Sequence, residues 1–290
     1  MDISSLFGGG GRTFSFEFYP PKTAADTASL YKALEELKPL SPDFVSVTSS
    51  PNSPARLQTA ALALLIRERF GFEPMVHLTC VIYTREEVEA ITALLAAEGI
   101  NNILALRGDL PPGFKPSSEY GSAAELVSHI KTLGGFHAAV AAYPEVHPRA
   151  ENSAADIASL KCKLDAGASF AITQLFFDNS SYFSFVEKCR AAGITAPIIP
   201  GIMPVTGHSQ LKKFTSLCGI KIPPDMAADL DRLGEDRAAI CDYGVNRAIA
   251  QCEELLRGGA PGIHFYTLNK SASTRRILER LRRQYPAPRS

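Results

Sequence analysis

The sequence predicts a single-domain α/β protein with the fold of a (β/α)8 TIM barrel, and three observations lead to this prediction. Eight short runs of apolar and β-branched residues alternate with segments of helical periodicity. The first seven runs begin about thirty residues apart, which is the length of one βα unit. The runs are apolar along nearly their whole length, as expected for parallel strands covered on both faces.

The predicted strands extend along almost the whole chain. They span residues 14–18, 44–48, 75–80, 102–106, 138–143, 170–176, 197–201 and 262–267. An open, doubly wound sheet would show similar local patterns, but a dinucleotide-binding sheet usually carries a G-x-G-x-x-G loop after its first strand. Here the first strand ends in the segment EFYPP at residues 17–21, so the sequence favours the closed barrel.

Helical segments fill the intervals between the strands, and the interval before the last strand contains extra helices. These are predicted at residues 209–218, 224–233 and 236–257, and a final covering helix is predicted at 271–285. Thr84 and Glu87 have the spacing of a capping box at the start of another helix. Gly258 and Gly259 follow the longest helix and are typical of a helix end.

The chain is predicted to form one domain, because no linker or low-complexity tract divides it. Residues 1–13, which include four consecutive glycines, are expected to be a flexible N-terminal arm, and residues 14–290 are expected to form the barrel. Residues 110–118 are rich in proline and are expected to be a loop between a strand and a helix.

Composition and charge favour a small-molecule partner over a nucleic acid or a membrane. Thirty Lys and Arg balance thirty Asp and Glu, so no overall basic field attracts polyanions. No apolar stretch approaches the ~20 residues of a membrane span and no targeting signal is evident, so we expect a cytoplasmic protein. The six cysteines lack paired spacing, which argues against a zinc site.

The candidate catalytic and binding residues lie at the carboxyl ends of the predicted strands, which form one mouth in a barrel. Alternation in the first strand places Ser15 and Glu17 opposite the phenylalanines, where a desolvated carboxylate suits a general acid. A structural carboxylate bonded to the backbone explains the same pattern. Arg107 and Asp109 flank Gly108 after the fourth strand, and they can bind an anion and a polar ring edge or pair with each other.

Further candidates are polar side chains inside or beside apolar sequence. Gln174 lies in the segment AITQLFF and requires either polar core partners or a ligand edge. His77 and His147 are interpreted as hydrogen-bonded barrel histidines or as ligands, and no His-x-His pair on the first strand supports a metal site. The helix after the fifth strand carries Asp156 and Lys163 on one polar stripe, which can face solvent or hydrogen-bond a bound ribose or phosphate.

Eight ordered segments of the sequence carry a resemblance to a known family. They are residues 16–23 (FEFYPPKT), 43–48 (DFVSVT), 77–80 (HLTC), 104–112 (LALRGDLPP), 141–148 (AAYPEVHP), 171–177 (AITQLFF), 200–204 (PGIMP) and 264–269 (HFYTLN). Together they resemble the catalytic domain of the methylenetetrahydrofolate reductases. The resemblance implies a barrel enzyme that binds FAD and reduces 5,10-methylenetetrahydrofolate to 5-methyltetrahydrofolate, a step that feeds methionine synthesis. NADH or NADPH would reduce the flavin first, in a ping-pong hydride relay.

The resemblance also implies roles for individual residues. Glu17 matches a general acid that helps protonate N10 of the folate, and Asp109 matches a carboxylate beside the flavin and the pterin. The implied substrate contacts are Gln174, Phe214, Tyr266 and Lys270. The implied FAD contacts are Thr48, His77, Arg107, Gly108, Asp109, Tyr120, Tyr143, His147, Asp156 and Lys163. No metal is implied.

Two other functions stay open on the sequence alone. One is a metal-dependent barrel hydrolase, and the other is a catalytically silent folate-binding barrel. The resemblance does not extend to the C-terminal regulatory domain of larger relatives, so we expect none here. The sequence does not choose between NADH and NADPH, and unpaired apolar helix faces are compatible with a homo-oligomer.

Overall fold

A computed structural model describes residues 1–49, 58–109 and 119–286 of the chain. Its strands form one parallel sheet in which each of the first six strands pairs with the next along the chain. The strands are β1 (Thr13–Phe18), β2 (Phe44–Val47), β3 (Pro74–Thr79), β4 (Asn102–Leu106), β5 (His137–Ala142), β6 (Ala168–Thr173), β7 (Ile198–Ile199), β8 (Gly201–Ile202) and β9 (Gly262–Tyr266). The loop predicted at 110–118 lies outside the described residues.

The sheet closes into a barrel through two consecutive short strands, β7 and β8. β7 pairs with β6, whereas β8 pairs with β9, and β9 pairs in turn with β1. Pro200 separates the two strands because it has no N–H to donate to a ladder, although its carbonyl still accepts from the His264 N–H at 3.0 Å. The strand predicted at 197–201 is therefore two strands, and the predicted (β/α)8 barrel is confirmed.

Ten α-helices occur in the described part of the chain, and they cover the outside of the barrel. They are α1 (Ala24–Leu37), α2 (Gln58–Leu65), α3 (Arg85–Ala97), α4 (Ala123–Leu133), α5 (Ser153–Asp165), α6 (Asn179–Ala191), α7 (His208–Cys218), α8 (Pro224–Leu233), α9 (Arg237–Arg257) and α10 (Ala272–Arg282). The capping box of Thr84 and Glu87 begins α3 as predicted. Helices α7 to α9 are the extra helices before the last strand. No helix in the described ranges is long and apolar enough to span a membrane.

The described residues form three apolar clusters, and two of them result from the alternation of side chains along the strands. Residues such as Phe14, Phe16 and Phe18 point outward and pack against the helices. The inward-pointing residues form a second cluster within the barrel, near the amino ends of the strands, and it includes Phe44 and Phe170. The polar residues of β1 therefore lie above an apolar layer, on the side of the mouth.

The N-terminal segment closes the opposite end of the barrel and corrects the expectation of a flexible arm for residues 3–7. These residues form a 3-10 helix, Ile3–Phe7, whose first turn is capped by the Asp2 carboxylate. Ile3 is fully buried in the inner cluster, and its N–H donates to Asn102 Oδ1 at 3.1 Å. The Phe7 ring lies 5.0 Å from that of Phe170. The apolar residues of this segment fill space that the short strands leave open.

Replacing Ile3 with Ala tests this packing. The substitution leaves a cavity in the inner cluster, so we expect the free energy of unfolding to fall by about 2–5 kcal/mol. Urea denaturation measures the change. Leu94→Ala on α3 is the control, because Leu94 is 38% exposed and its truncation should change stability by about 0.5 kcal/mol or less. Equal, small effects of both variants would show that residues 3–7 do not contribute to the core.

Candidate active site

A cavity of about 760 Å³ opens at the carboxyl ends of β4 and β5. Its walls are the segments that follow these strands, the first turn of α4 and one face of α5. This volume lies within the range of sites that hold a cofactor or a drug-sized ligand. Seven of the ten residues predicted to contact a cofactor line it, namely Arg107, Gly108, Asp109, Tyr143, His147, Asp156 and Lys163.

The polar stripe of α5 faces this cavity. Asp156, Ser159 and Lys163 all line it, whereas Ile157 and Leu160 are buried in the outer core. The Asp156 carboxylate accepts the His147 backbone N–H at 2.9 Å, which fixes the turn after β5. The sequence allowed this polar stripe to be either a solvent-exposed surface or a ligand-binding face. Because the stripe lines a cavity, the structure favours a ligand-binding face.

Lys163 is a half-buried cation in the lining of the cavity. Its Nζ donates to the Ala141 carbonyl at 2.6 Å. Burial lowers the pKa of Lys163 to about 8, and the nearby Asp156 carboxylate opposes this shift only in part. An anion in the cavity would favour the charged ammonium, so the site is suited to a phosphate group.

The turn after β4 requires a glycine. Gly108 has a φ of +82°, and a Cβ there would lie 2.9 Å from Thr79 Cβ. Arg107 and Asp109 consequently project at the rim of the cavity. Asp109 Oδ1 lies 3.2 Å from Arg149 Nη2, but the Asp109 side chain is 95% exposed, so this ion pair contributes little to stability.

Glu17 lies inside the mouth between two histidines. Its Oε2 atom is 3.6 Å from His77 Nε2 and 3.7 Å from His264 Nε2. Burial lowers the pKa of His77 to about 4, although the Glu17 carboxylate opposes the shift, so this imidazole is neutral at pH 7. Among the described residues, no hydrogen-bond partner reaches His77 Nε2 or the buried Thr79 Oγ1.

His264 is a site residue that the sequence analysis missed. It is fully buried, and its Nδ1 lies 2.7 Å from Ser15 Oγ while its Nε2 lies 3.3 Å from Ser46 Oγ. The two serines hold the ring in place beside Glu17. Alternation along the last predicted strand was the available signal, because it places His264 on the same face as Tyr266.

Tyr266, Gln174 and Phe214 lie on the other side of the mouth. The Tyr266 hydroxyl donates to the Thr173 carbonyl at 2.7 Å, and burial raises the pKa of this phenol well above its ordinary value. A Cβ on Gly201 would lie 2.6 Å from the Tyr266 ring, so only glycine leaves room for it. Phe214 on α7 and Tyr266 pack against the same apolar cluster. The Gln174 side chain turns back and accepts the Leu175 N–H at 2.9 Å.

Eight predicted site residues do not line the cavity; four of them, Glu17, Gln174, Phe214 and Tyr266, are described above. His77 is inside the barrel, and Thr48 follows β2, where its N–H donates to the Phe18 carbonyl. Tyr120 is buried between α3 and α4 and contacts His129 and Arg85 instead. Lys270 is exposed after β9, where its N–H donates to the Thr267 carbonyl. The described ranges contain no group of three or more His, Cys, Asp or Glu side chains that could hold a metal ion.

Fold and site together define a parallel α/β-barrel protein with a large cavity at the carboxyl ends of its strands. The family model for methylenetetrahydrofolate reductase matches residues 3–282, so the chain belongs to this family. It is 43% identical to the 5,10-methylenetetrahydrofolate reductase of Salmonella typhimurium over 92% of this chain and 90% of that protein. It is 36% identical to a maize protein named methylenetetrahydrofolate reductase (NADH) 1, over 94% of this chain and 49% of that one.

A solved structure with the same fold is similar to this chain at low identity. It is an uncharacterized protein from Clostridium thermocellum that binds two copies of 5-methyl-5,6,7,8-tetrahydrofolic acid. The TM-score is 0.66 and the identity is 14%, with 96% of this chain and 97% of the other chain covered. At this identity the similarity supports the barrel fold alone.

Lys163 predicts a dependence of stability on pH. The unfolded chain holds this proton up to about pH 10.5, whereas the folded protein releases it near pH 8, so the free energy of unfolding should rise between these values. The rise is at most about 3 kcal/mol. Urea denaturation at pH 7 and pH 10 should show that Lys163→Met lacks this rise.

Lys161→Met is the matched control, because Lys161 is exposed on the same helix and pairs with Asp165. It should keep the rise seen in the unmodified protein. The free energies of unfolding of Lys163→Met and Lys161→Met could instead depend on pH in the same way. The charge on Lys163 would then not destabilise the fold, and the assignment of a lowered pKa to this residue would be wrong.

Proposed function

We propose that this chain reduces 5,10-methylenetetrahydrofolate to 5-methyltetrahydrofolate with NADH or NADPH, by a ping-pong relay through bound FAD. The observation that carries the proposal is the position of Glu17. Its carboxylate lies inside the barrel mouth between two buried histidines, at the same end of the barrel as the cavity. Membership of the reductase family and the names of the relatives support the same reaction.

The residues around the cavity fit FAD. Lys163 and Arg107 supply positive charge for a diphosphate, and the first turn of α4 faces the same space. Asp156 is placed for a ribose hydroxyl, and the unpartnered Nε2 of His77 and Oγ1 of Thr79 are buried polar atoms close to the mouth. Bound FAD would supply a two-electron carrier that exchanges hydride with the nicotinamide and then with the folate.

Glu17 acts as the proton donor to the folate in this proposal. The ring-opening of methylenetetrahydrofolate requires a proton on N10, and Glu17 is the carboxyl group inside the mouth. Ser15 and Ser46 hold His264, which in turn borders Glu17, so His264 is a positioning residue. His77 is neutral at pH 7 and therefore adds no positive charge beside the carboxylate.

The remaining residues bind and orient the substrates. Asp109 at the rim supplies negative charge that stabilises a cationic folate intermediate. The Gln174 amide offers a donor and an acceptor to the pterin, while Phe214 and Tyr266 offer an apolar surface for a planar ring. Lys270 is exposed beyond β9, where an ammonium can attract the carboxylates of the folate tail.

The visible absorbance spectrum of the purified protein, before and after anaerobic addition of NADH or NADPH, tests the function. We expect a flavin spectrum, or its appearance after incubation with FAD, that either nucleotide bleaches. Methylenetetrahydrofolate should then restore it. A protein that takes up no FAD would contradict the proposal, and folate binding without turnover would instead indicate a silent folate-binding barrel.

Replacing Glu17 with Gln separates the two half-reactions. The amide keeps the shape of the side chain but cannot donate the proton, so bleaching by NADH or NADPH should change by about twofold or less. Reoxidation by methylenetetrahydrofolate should slow by about 100-fold or more. Stopped-flow absorbance measures both steps.

Glu187→Gln, at an exposed position on α6, is the matched control and should leave both half-reactions unchanged. Normal folate reoxidation in Glu17→Gln would show that another group delivers the proton. If Glu17→Gln instead lost both flavin reduction and folate reduction, Glu17 would have a structural role in the site and would not be the proton donor.

A further inference from the structure

The segment that leads into α4 is held at each residue from Glu119 to Ser122. Glu119 Oε2 accepts the Arg85 N–H at 2.6 Å, and the Gly121 N–H donates to Glu125 Oε2 at 3.0 Å. Ser122 Oγ accepts the Glu125 N–H and caps the helix. The next residues, with Ser122, form the wall of the cavity on this side. Contacts made by the segment therefore determine where that wall lies.

Tyr120 makes the longest connection in this segment, through two hydrogen bonds in series. Its hydroxyl lies 2.6 Å from His129 Nδ1, and His129 Nε2 lies 3.2 Å from Glu89 Oε1. The Arg85 guanidinium stacks over the Tyr120 ring at 5.0 Å. A neutral imidazole with its proton on Nε2 accepts from the tyrosine and donates to the carboxylate. These hydrogen bonds join the segment before α4 to the second turn of α4 and to α3.

We propose that this Tyr120–His129–Glu89 relay positions the first turn of α4 against the cavity and thereby sets the affinity for the cofactor. His129 and Glu89 are positioning residues, since neither lines the cavity. The inference rests on the proposed function only in taking FAD as the occupant.

Burial makes the relay strong enough for this role. Tyr120 is 6% exposed and the His129 side chain is 9% exposed, so water does not compete for the bond between them. Glu89 is the solvated end of the relay, since its side chain is 55% exposed. The wall residues Ala123 and Ala124 have methyl side chains, which make no hydrogen bonds, although Ala123 is itself buried. The cavity wall therefore depends on the contacts of its neighbours.

The dissociation constant for FAD, measured by quenching of flavin fluorescence, tests the relay. His129→Phe keeps a ring but removes both hydrogen bonds, and we expect FAD to bind about five- to tenfold more weakly, the factor that one or two lost hydrogen bonds give. Tyr120→Phe should give about the same loss. The double variant should be no weaker than either single one, because both remove the same connection.

His137→Phe is the matched control. His137 also pairs with a carboxylate, Asp2, at 3.3 Å, but it lies at the amino end of β5, away from the cavity. Both histidine variants are expected to lower the melting temperature, whereas only His129→Phe should weaken FAD binding. Hydrogen exchange of the Glu125 and Leu126 amides should also accelerate only in His129→Phe, with or without FAD.

Three results would overturn the proposal in distinguishable ways. If the unmodified protein binds FAD and His129→Phe binds it within twofold, the relay does not set the affinity. If His137→Phe weakens binding as much, the effect is one of general stability. If the unmodified protein takes up no FAD, the proposed function fails, and the cofactor role of the relay fails with it even where the exchange rates change as expected.

Discussion

Closure of the parallel sheet at Pro200 is the constraint on which the rest of the structure depends. Because β7 pairs with β6 and β8 pairs with β9, one stretch of five residues brings both edges of the sheet together. Closure demands close approach of backbones, and a Cβ on Gly262 would lie 2.2 Å from the Thr13 carbonyl oxygen. Glu17 on β1, His77 on β3 and His264 on β9 lie on nearby strands, and closure makes the face that they share the interior of a barrel.

The interior is divided into an apolar lower half and a polar upper half. Ile3 and its neighbours complete the lower half, so water is excluded from one end of the barrel. Ser15 and Ser46 form the boundary, and they satisfy the buried His264 ring. The Glu17 carboxylate consequently lies between the apolar cluster inside the barrel and the open mouth. Such a position allows a carboxyl group to be fixed in direction while remaining accessible to a ligand.

In the proposed function, cofactor binding and proton transfer use different parts of the mouth. The cavity beside α4 and α5 offers small side chains, the first turn of α4 and the half-buried Lys163, a combination that suits an extended anionic cofactor. Glu17 does not line this cavity, and Tyr266 and Phe214 pack against the apolar cluster that includes Leu211 on α7. The relay from Tyr120 to Glu89 connects the first of these regions to the outer helices.

The sequence by itself determined the elements and the chemistry at their ends, because periodicity and capping act over a few residues. It predicted α8 with its observed bounds and placed Asp156 and Lys163 on one face of α5. Only the tertiary structure decided which distant residues meet. Ser15 and His264 are 249 positions apart, and Tyr120 turned toward His129 and away from the cavity. Local sequence patterns do not predict such long-range contacts, because these contacts form only when the barrel closes and the helices pack against it.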